Sequence, residues 1–90
     1  MTRVVYEPST PAMRFSGHAG AGRPGGDLVC AALSALMYTL LENLPESERR
    51  MADGFCAVEG GEKRVYEVIA GGLRRLAEAY PDYVRMEVRT

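Results

Sequence analysis

The sequence has 90 residues, of which 47% are hydrophobic and 26% charged, and its formal net charge at pH 7 is −1. A chain of this length and ordinary globular composition is expected to form a single domain over residues 1–90, and the composition argues against intrinsic disorder. The near-neutral charge argues against a nucleic-acid partner, so Arg49-Arg50 and Arg74-Arg75 are interpreted as solvated faces.

The N-terminus and the cysteines predict the compartment. Residues 1–8 contain no apolar signal-peptide core, and the longest apolar-rich run, residues 28–41, is too short to span a bilayer. We therefore expect a cytoplasmic protein that does not bind membranes, with Cys30 and Cys56 as free thiols. Because a chain of this size buries only about 60–65% of its unfolded surface, dimerisation would enlarge a modest core, and a homodimer is expected.

The N-terminal residues predict a β-hairpin followed by a loop. Residues 3–6 are a short β-branched run, and residues 12–16 resume a strand pattern with Met13 and Phe15 on one face. The intervening Glu7-Pro8-Ser9-Thr10-Pro11 is typical of a turn. Residues 17–26 hold five of the ten glycines and therefore predict a loop.

A first helix is predicted over residues 27–43, with Asp27 as its N-cap and Pro45 marking its exit. Its apolar positions form two stripes, one beginning at Leu28 and the other at Val29. Because the helix is apolar most of the way round, we expect burial on two sides, by the sheet and by a second helix or subunit.

The second half of the chain repeats the pattern of hairpin and helix. Residues 49–52 and 55–58 flank Asp53-Gly54, a dipeptide favoured in two-residue hairpin turns. Helical spacing of apolar residues over positions 62–80 predicts a second helix, which Pro81 closes.

Two further features complete the predicted fold. Gly71-Gly72 lies inside the second helix at a cost of roughly 1 kcal/mol per glycine, which suggests close packing against another backbone, such as the alanine-rich face of the first helix. Residues 83–88 alternate as a last strand, with Val84, Met86 and Val88 facing inward. The order ββαββαβ predicts an α+β two-layer sandwich, a small mixed sheet with two helices on one face.

The candidate nucleophile is Cys30, which the predicted N-cap places in the first turn of the first helix. Unpaired N–H groups and the positive end of the helix dipole favour a thiolate there. The only histidine, His18, lies twelve residues earlier in the glycine-rich loop, which lets the imidazole fold back to the sulfur. The two residues predict a nucleophile–base pair, although a lone cysteine is often a buried packing residue and a lone histidine an ordinary loop residue.

The neighbours of this pair each have two interpretations. Asp27 either only caps the helix or also orients His18. Ser34, four residues after Cys30 on the same helix face, either supports the site or bonds its own i−4 carbonyl. The backbone N–H of Cys30 and its neighbours are the expected oxyanion donors, with loop amides as a second source. Cys56 is interpreted as a packing residue.

Two alternative sites are not supported. Gly20-Ala21-Gly22-Arg23-Pro24-Gly25 matches the dinucleotide pattern, but Asp27 places an anion where a pyrophosphate would bind, and the chain is too short for a nucleotide fold. A metal site needs three or four ligands, which one histidine and two distant cysteines do not supply. We therefore expect neither a metal nor a cofactor.

The stretch around this pair also resembles a known family. Gly17-His18-Ala19 together with residues 25–36, and Gly72-Leu73 together with residues 77–84, resemble the ribosomal-processing cysteine proteases, the Prp family. The resemblance implies a small α/β cysteine protease of the bacterial cytoplasm, which removes a short N-terminal extension from a large-subunit ribosomal protein.

The resemblance implies roles for particular residues as well. His18 and Cys30 would be catalytic, and Asp27 and Ser34 would support them. The loop is expected to clamp an extended substrate through Gly17, Ala19, Gly20, Gly25 and Gly26. The alternative is a non-enzymatic module of the same fold that binds a ribosome or another protein, and the reactivity of the Cys30 thiol distinguishes the two.

Overall fold

Five strands and two helices follow one another in the order ββαββαβ in a computed structural model, which describes residues 1–18 and 25–90. They are β1 (Thr2–Glu7), β2 (Ala12–Ser16), α1 (Gly26–Glu42), β3 (Glu48–Ala52), β4 (Phe55–Glu59), α2 (Lys63–Ala79) and β5 (Val84–Val88). The predicted α+β class, both hairpins and both helices are confirmed.

The strands of the described residues form one mixed sheet in the order β3-β4-β2-β1-β5. The two hairpin pairs and the β2–β4 pair are antiparallel, whereas β5 lies parallel to β1. Ser16 at the end of β2 is opposite Phe55 at the start of β4. This register places the end of β2 beside the Asp53-Gly54 turn that joins β3 to β4.

The core lies between one face of the sheet and the helices. Val4, Phe15 and Cys56 are paired across β1, β2 and β4 and are all buried, because alternate residues of a strand face the same side. The helices add a second buried set: Val29, Leu33, Leu40, Leu41, Tyr66, Ile69, Ala70 and Leu73. In the described part of the chain, neither helix is long and apolar enough to cross a membrane.

The start of α1 differs from the prediction. Gly25 is the N-cap at φ 81°, α1 begins at Gly26, and Asp27 lies within the first turn without a side-chain capping bond. The assignment of Asp27 as N-cap and of Gly26 to the loop is therefore wrong. Glycine adopts the left-handed conformation at low cost and so permits this entry. Counted from Gly26, Cys30 is the fifth helical residue rather than the third.

Burial along α1 and β5 also departs from the prediction. α1 is buried along the stripe that contains Val29 and Leu33, but in the stripe that begins at Leu28, which is 78% exposed, Ala35 and Thr39 are exposed too. On β5, Val84 is buried and Met86 packs against the core, whereas Val88 is 45% exposed. Leu28 and Val88 both lie near an element end.

The glycine pair of α2 packs differently from the expectation. A Cβ built on Gly72 would lie 3.3 Å from Leu36 Cδ2 of α1, whereas a Cβ on Gly71 would meet no atom within 4 Å. The close approach to α1 therefore involves one glycine and a leucine side chain rather than two backbones.

Candidate active site

An open cavity of about 320 Å³ lies between α1 and the β3–β4 hairpin. His18, Cys30 and Ser34 all line it. The other lining residues are mostly apolar: Thr2, Phe15, Gly17, Leu33, Met37, Tyr38, Met51, Ala52, Asp53, Gly54, Phe55 and Cys56. The structure thus brings the predicted thiol and imidazole to one solvent-accessible surface.

Cys30 and Ser34 reach the cavity from α1. Cys30 is a free, half-buried thiol that packs against the core, and Ser34 is half-buried one turn further along. The helix holds their side chains on one face because residues four apart lie above one another. Rigid secondary structure, rather than a loop, therefore sets the position of the sulfur.

His18 lies just beyond the end of β2. Its main chain is held by hydrogen bonds of the Gly17 N–H and of its own carbonyl oxygen. The Gly17 N–H donates to the Gly54 carbonyl oxygen at 2.8 Å, and the Met1 ammonium donates to the His18 carbonyl oxygen at 2.8 Å. The side chain remains 58% exposed. The main chain at His18 is therefore fixed, while its imidazole faces solvent and the cavity.

The imidazole meets the turn between β3 and β4. His18 Nε2 lies 4.0 Å from Asp53 Oδ1, and a Cβ built on Gly54 would lie 2.8 Å from the same nitrogen. Asp53 and Gly54 were predicted only as turn residues, 35 positions from His18. The register of β2 and β4 places them here. Because Ser16 pairs with Phe55 and the two strands are antiparallel, the residues that follow Ser16 lie beside the residues that precede Phe55.

The other predicted site residues are placed differently. Asp27 is exposed in the first turn of α1, and the acidic contact of His18 is with Asp53 instead. Gly17 lines the cavity, whereas Gly25 is the N-cap and Gly26 is buried in α1. Ala19 and Gly20 lie outside the described residues, as does most of the dinucleotide-like pattern.

The expected oxyanion donor changes with the helix start. Only the N-cap and the first three helical residues have N–H groups without an intrahelical partner. The Val29 N–H already donates to the Gly25 carbonyl oxygen at 3.3 Å, so the next residue, Cys30, lies inside the hydrogen-bonded part of α1. The Cys30 N–H is therefore not free to bind an oxyanion as predicted, and most of the second predicted source, the loop amides, lies outside the described residues.

Cys56 behaves as the predicted packing residue. Its side chain is 1% exposed, and burial raises the pKa of its thiol, an effect that the charge of Arg49 partly offsets. Both cysteines are free. Within residues 1–18 and 25–90, no group of three histidine, cysteine or acidic side chains is arranged to hold a metal ion.

A helix-borne free thiol and an imidazole on one open cavity are the parts of a cysteine hydrolase. The family model of the cysteine protease Prp matches residues 1–85. The chain therefore belongs to the cysteine protease Prp family. No curated protein matches its sequence.

Solved structures share the fold. The ribosomal processing protease Prp of Staphylococcus aureus with a covalently linked product peptide superposes with a TM-score of 0.84 at 18% identity, covering 99% of this chain and 100% of that one. The same protease with a substrate peptide gives 0.78 at 16% identity, covering 98% and 97%. SMU.848 from Streptococcus mutans gives 0.75 at 24% identity, covering 99% and 92%.

Proposed function

We propose that this cysteine protease is an endopeptidase that removes the N-terminal extension of a large-subunit ribosomal protein precursor, with Cys30 as nucleophile and His18 as base. The observation that carries the proposal is the shared cavity, in which a half-buried thiol on α1 and an exposed imidazole after β2 line the same surface. Membership of the Prp family supports the peptidase chemistry.

The substrate class is supported by the neighbours of known structure. The S. aureus protease of this fold is a ribosomal processing protease that binds a substrate peptide and a covalently linked product peptide. The cavity is open, and side chains such as Leu33, Met37 and Met51 give it an apolar lining. An open, mostly apolar cleft with few polar groups suits an extended peptide.

The proposed reaction proceeds through a thioester. His18 takes the thiol proton of Cys30, and the thiolate attacks the carbonyl carbon of the scissile peptide bond. Collapse of the tetrahedral intermediate breaks the C–N bond, and His18 returns the proton to the leaving amine. His18 then takes a proton from water, whose oxygen attacks the thioester, releasing a carboxylic acid and the Cys30 thiol. The role of Ser34 is to support the thiol from the same helix face.

The proposal is tested by incubating the protein with peptides that carry the N-terminal extensions of ribosomal protein precursors, with products detected by mass. We expect cleavage by the natural chain and by Cys56→Ala, the matched control, because Cys56 is a packing thiol. Cys30→Ala and His18→Ala should lose turnover while keeping the fold, as measured by circular dichroism. Cleavage that persists in Cys30→Ala would remove Cys30 from the mechanism.

A labelling experiment distinguishes the enzyme from the binding-module alternative. At about pH 6.5, where an unperturbed thiol is almost entirely protonated, an activated Cys30 should react with a mild alkylating agent well before Cys56, and well before Cys30 of the His18→Ala variant. Equally slow labelling of both thiols would support a binding module with a vestigial thiol.

The proposal also covers the domain organisation, cellular compartment, oligomeric state and partners of the protein. The chain acts as a single domain in the bacterial cytoplasm, forms a homodimer, and binds a protein precursor rather than nucleic acid or membrane. The net charge of −1 supports the absence of a polyanion partner. Light scattering during size-exclusion chromatography tests the dimer, and a monomer mass at micromolar concentration would contradict it.

A further inference from the structure

Three features of the turn between β3 and β4 lie at or beside the proposed base. The Gly54 carbonyl oxygen accepts the Gly17 N–H at 2.8 Å, immediately before His18. Asp53 Oδ1 lies 4.0 Å from His18 Nε2, and a Cβ on Gly54 would lie 2.8 Å from that nitrogen. One turn therefore bonds the backbone just before His18, places a carboxylate near the ring and leaves room for the ring.

We infer that Asp53 and Gly54 are positioning residues for His18, which hold its Nε2 edge against the turn and leave Nδ1 to take the Cys30 proton. Gly54 provides the space beside the ring, and Asp53 faces the Nε2–H. The inference deepens the proposed function and rests on it, since it assumes that His18 is the base.

Gly54 is suited to this role by conformation and by space. Its φ of +68° is one that residues with side chains rarely adopt. A methyl group at this position would also overlap the imidazole, because 2.8 Å is shorter than any normal contact of a Cβ with a nitrogen. Any side chain here must displace the ring, the turn, or both.

Asp53 selects the nitrogen that acts as base. A neutral imidazole carries one N–H, and a carboxylate beside Nε2 favours the tautomer with its proton on that atom. At 4.0 Å the pair is an electrostatic contact rather than a direct hydrogen bond, and such contacts commonly tighten when substrate binds. Among the described residues, the Met1 ammonium bonds the His18 carbonyl oxygen instead of the ring.

The first experiment measures the rate of Cys30 alkylation by iodoacetamide between about pH 5 and 9, a range that brackets histidine titration. Gly54→Ala should lower the rate at neutral pH at least about tenfold, because small displacements of a catalytic group have large effects. Asp53→Asn should lower it about two- to fivefold, as expected for an exposed charge pair. Asp53→Glu should recover part of that loss.

The chain offers a matched control for the glycine. Gly60 has a φ of +86°, similar to that of Gly54, but a Cβ there would meet no atom within 4 Å. Gly60→Ala therefore imposes the same kind of backbone strain without touching His18, and its Cys30 rate should equal that of the natural chain. Equal rates for Gly54→Ala and Gly60→Ala, together with an unchanged Asp53→Asn, would overturn the inference.

The second experiment reads the tautomer directly. Because the chain has one histidine, ¹⁵N-histidine labelling gives the spectrum of a single ring. The neutral ring should carry its proton on Nε2, and Asp53→Asn should shift the population toward the Nδ1–H form. A neutral ring protonated on Nδ1 in the natural chain would overturn the inference even if Gly54→Ala failed to fold.

His18→Ala separates this inference from the proposed function. Suppose that His18→Ala abolishes the enhanced reactivity of Cys30, whereas Asp53→Asn and Gly54→Ala do not lower that reactivity. His18 is then still supported as the base, but the positioning roles of Asp53 and Gly54 are wrong. If His18→Ala leaves Cys30 reactivity unchanged, the nucleophile–base pair itself is wrong, and the positioning roles fall with it.

Discussion

The two thiols of the chain differ in their surroundings. Cys30 is half-buried beside the cavity, whereas Cys56 is 1% exposed on β4, between Phe15 of β2 and Met51 of β3. Burial raises the pKa of the Cys56 thiol, so it remains protonated where a solvent-exposed thiol begins to ionise. The fold thus separates a thiol available for chemistry from one that only fills space.

Substitution of Cys56 tests this packing role. Cys56→Ser should destabilise the protein by about 1–3 kcal/mol, because it buries a hydroxyl in place of a weakly polar thiol. Cys56→Ala should cost less, about 1 kcal/mol, through a small cavity. Urea denaturation measures both, and a serine variant as stable as the natural chain would contradict the assignment.

Tyr66 links the start of α2 to the preceding turn. Its side chain is fully buried, its hydroxyl donates to the Gly60 carbonyl oxygen at 2.6 Å, and its ring stacks on Tyr6 with centroids 6.2 Å apart. Burial, with a smaller contribution from Glu59, raises the pKa of Tyr66 from 10.0 to about 12. The folded protein therefore keeps this proton at pH values where the unfolded chain loses it.

Because the pKa of Tyr66 is raised in the folded protein, the free energy of unfolding should fall at alkaline pH. The contribution of Tyr66 to stability is complete below pH 10.0 and is lost as pH rises toward about 12, with a slope of up to about 1.4 kcal/mol per pH unit. Tyr66→Phe should cost about 1 kcal/mol at neutral pH and should show a shallower alkaline decline. Denaturation at several pH values measures this, and an equally steep decline in Tyr66→Phe would contradict it.

At the level of elements, Arg49 ties the β3–β4 hairpin to the end of α1. Its Nη2 donates to the carbonyl oxygens of Leu41 and Leu44 at 3.0 and 2.6 Å, and to Ser47 Oγ at 3.0 Å. Leu41 is in the last turn of α1 and Leu44 follows the helix, and a cation there complements the negative end of the helix dipole. This anchor fixes the hairpin relative to α1, and the candidate active site lies between them.

The two glycines of α2 provide a matched pair. Gly71→Ala should stabilise the protein by about 1 kcal/mol, because it improves helix propensity and the added methyl group meets no atom within 4 Å. Gly72→Ala should gain less or lose stability, since its Cβ would press on Leu36 at 3.3 Å. Denaturant midpoints give the comparison, and a larger gain at Gly72 would contradict the packing between the helices.

At the scale of the whole molecule, strand order divides the sheet into a protected centre and an exposed edge. β1, β2 and β4 are paired on both sides, whereas β3 and β5 are edge strands, and every residue of β3 is exposed. Amide hydrogen exchange should therefore be slowest in β1 and β2 and faster in β3. Exchange followed by nuclear magnetic resonance tests this, and equal protection of β3 and β1 would contradict it.

Most of the fold was predictable because its signals are local. Alternation over residues 12–16, the Asp53-Gly54 turn and the helical spacing that ends before Pro81 each depend on neighbours in the chain. The start of α1 was misplaced because Asp27 is a favoured N-cap residue, whereas Gly25 enters the helix at φ 81°. Aspartate and glycine are both common at an N-cap, and only the backbone conformation distinguishes the two candidates.

Residue type and spacing specify the order of elements, the thiol on a helix and the histidine in a glycine-rich stretch, so these features could be predicted without coordinates. Tertiary structure alone decided which carboxylate meets His18. Asp27 is nearer in the chain, but the antiparallel register of β2 and β4 brings Asp53 to the ring. Strand pairing brings together residues that are distant in sequence, and no local sequence pattern specifies which strands pair.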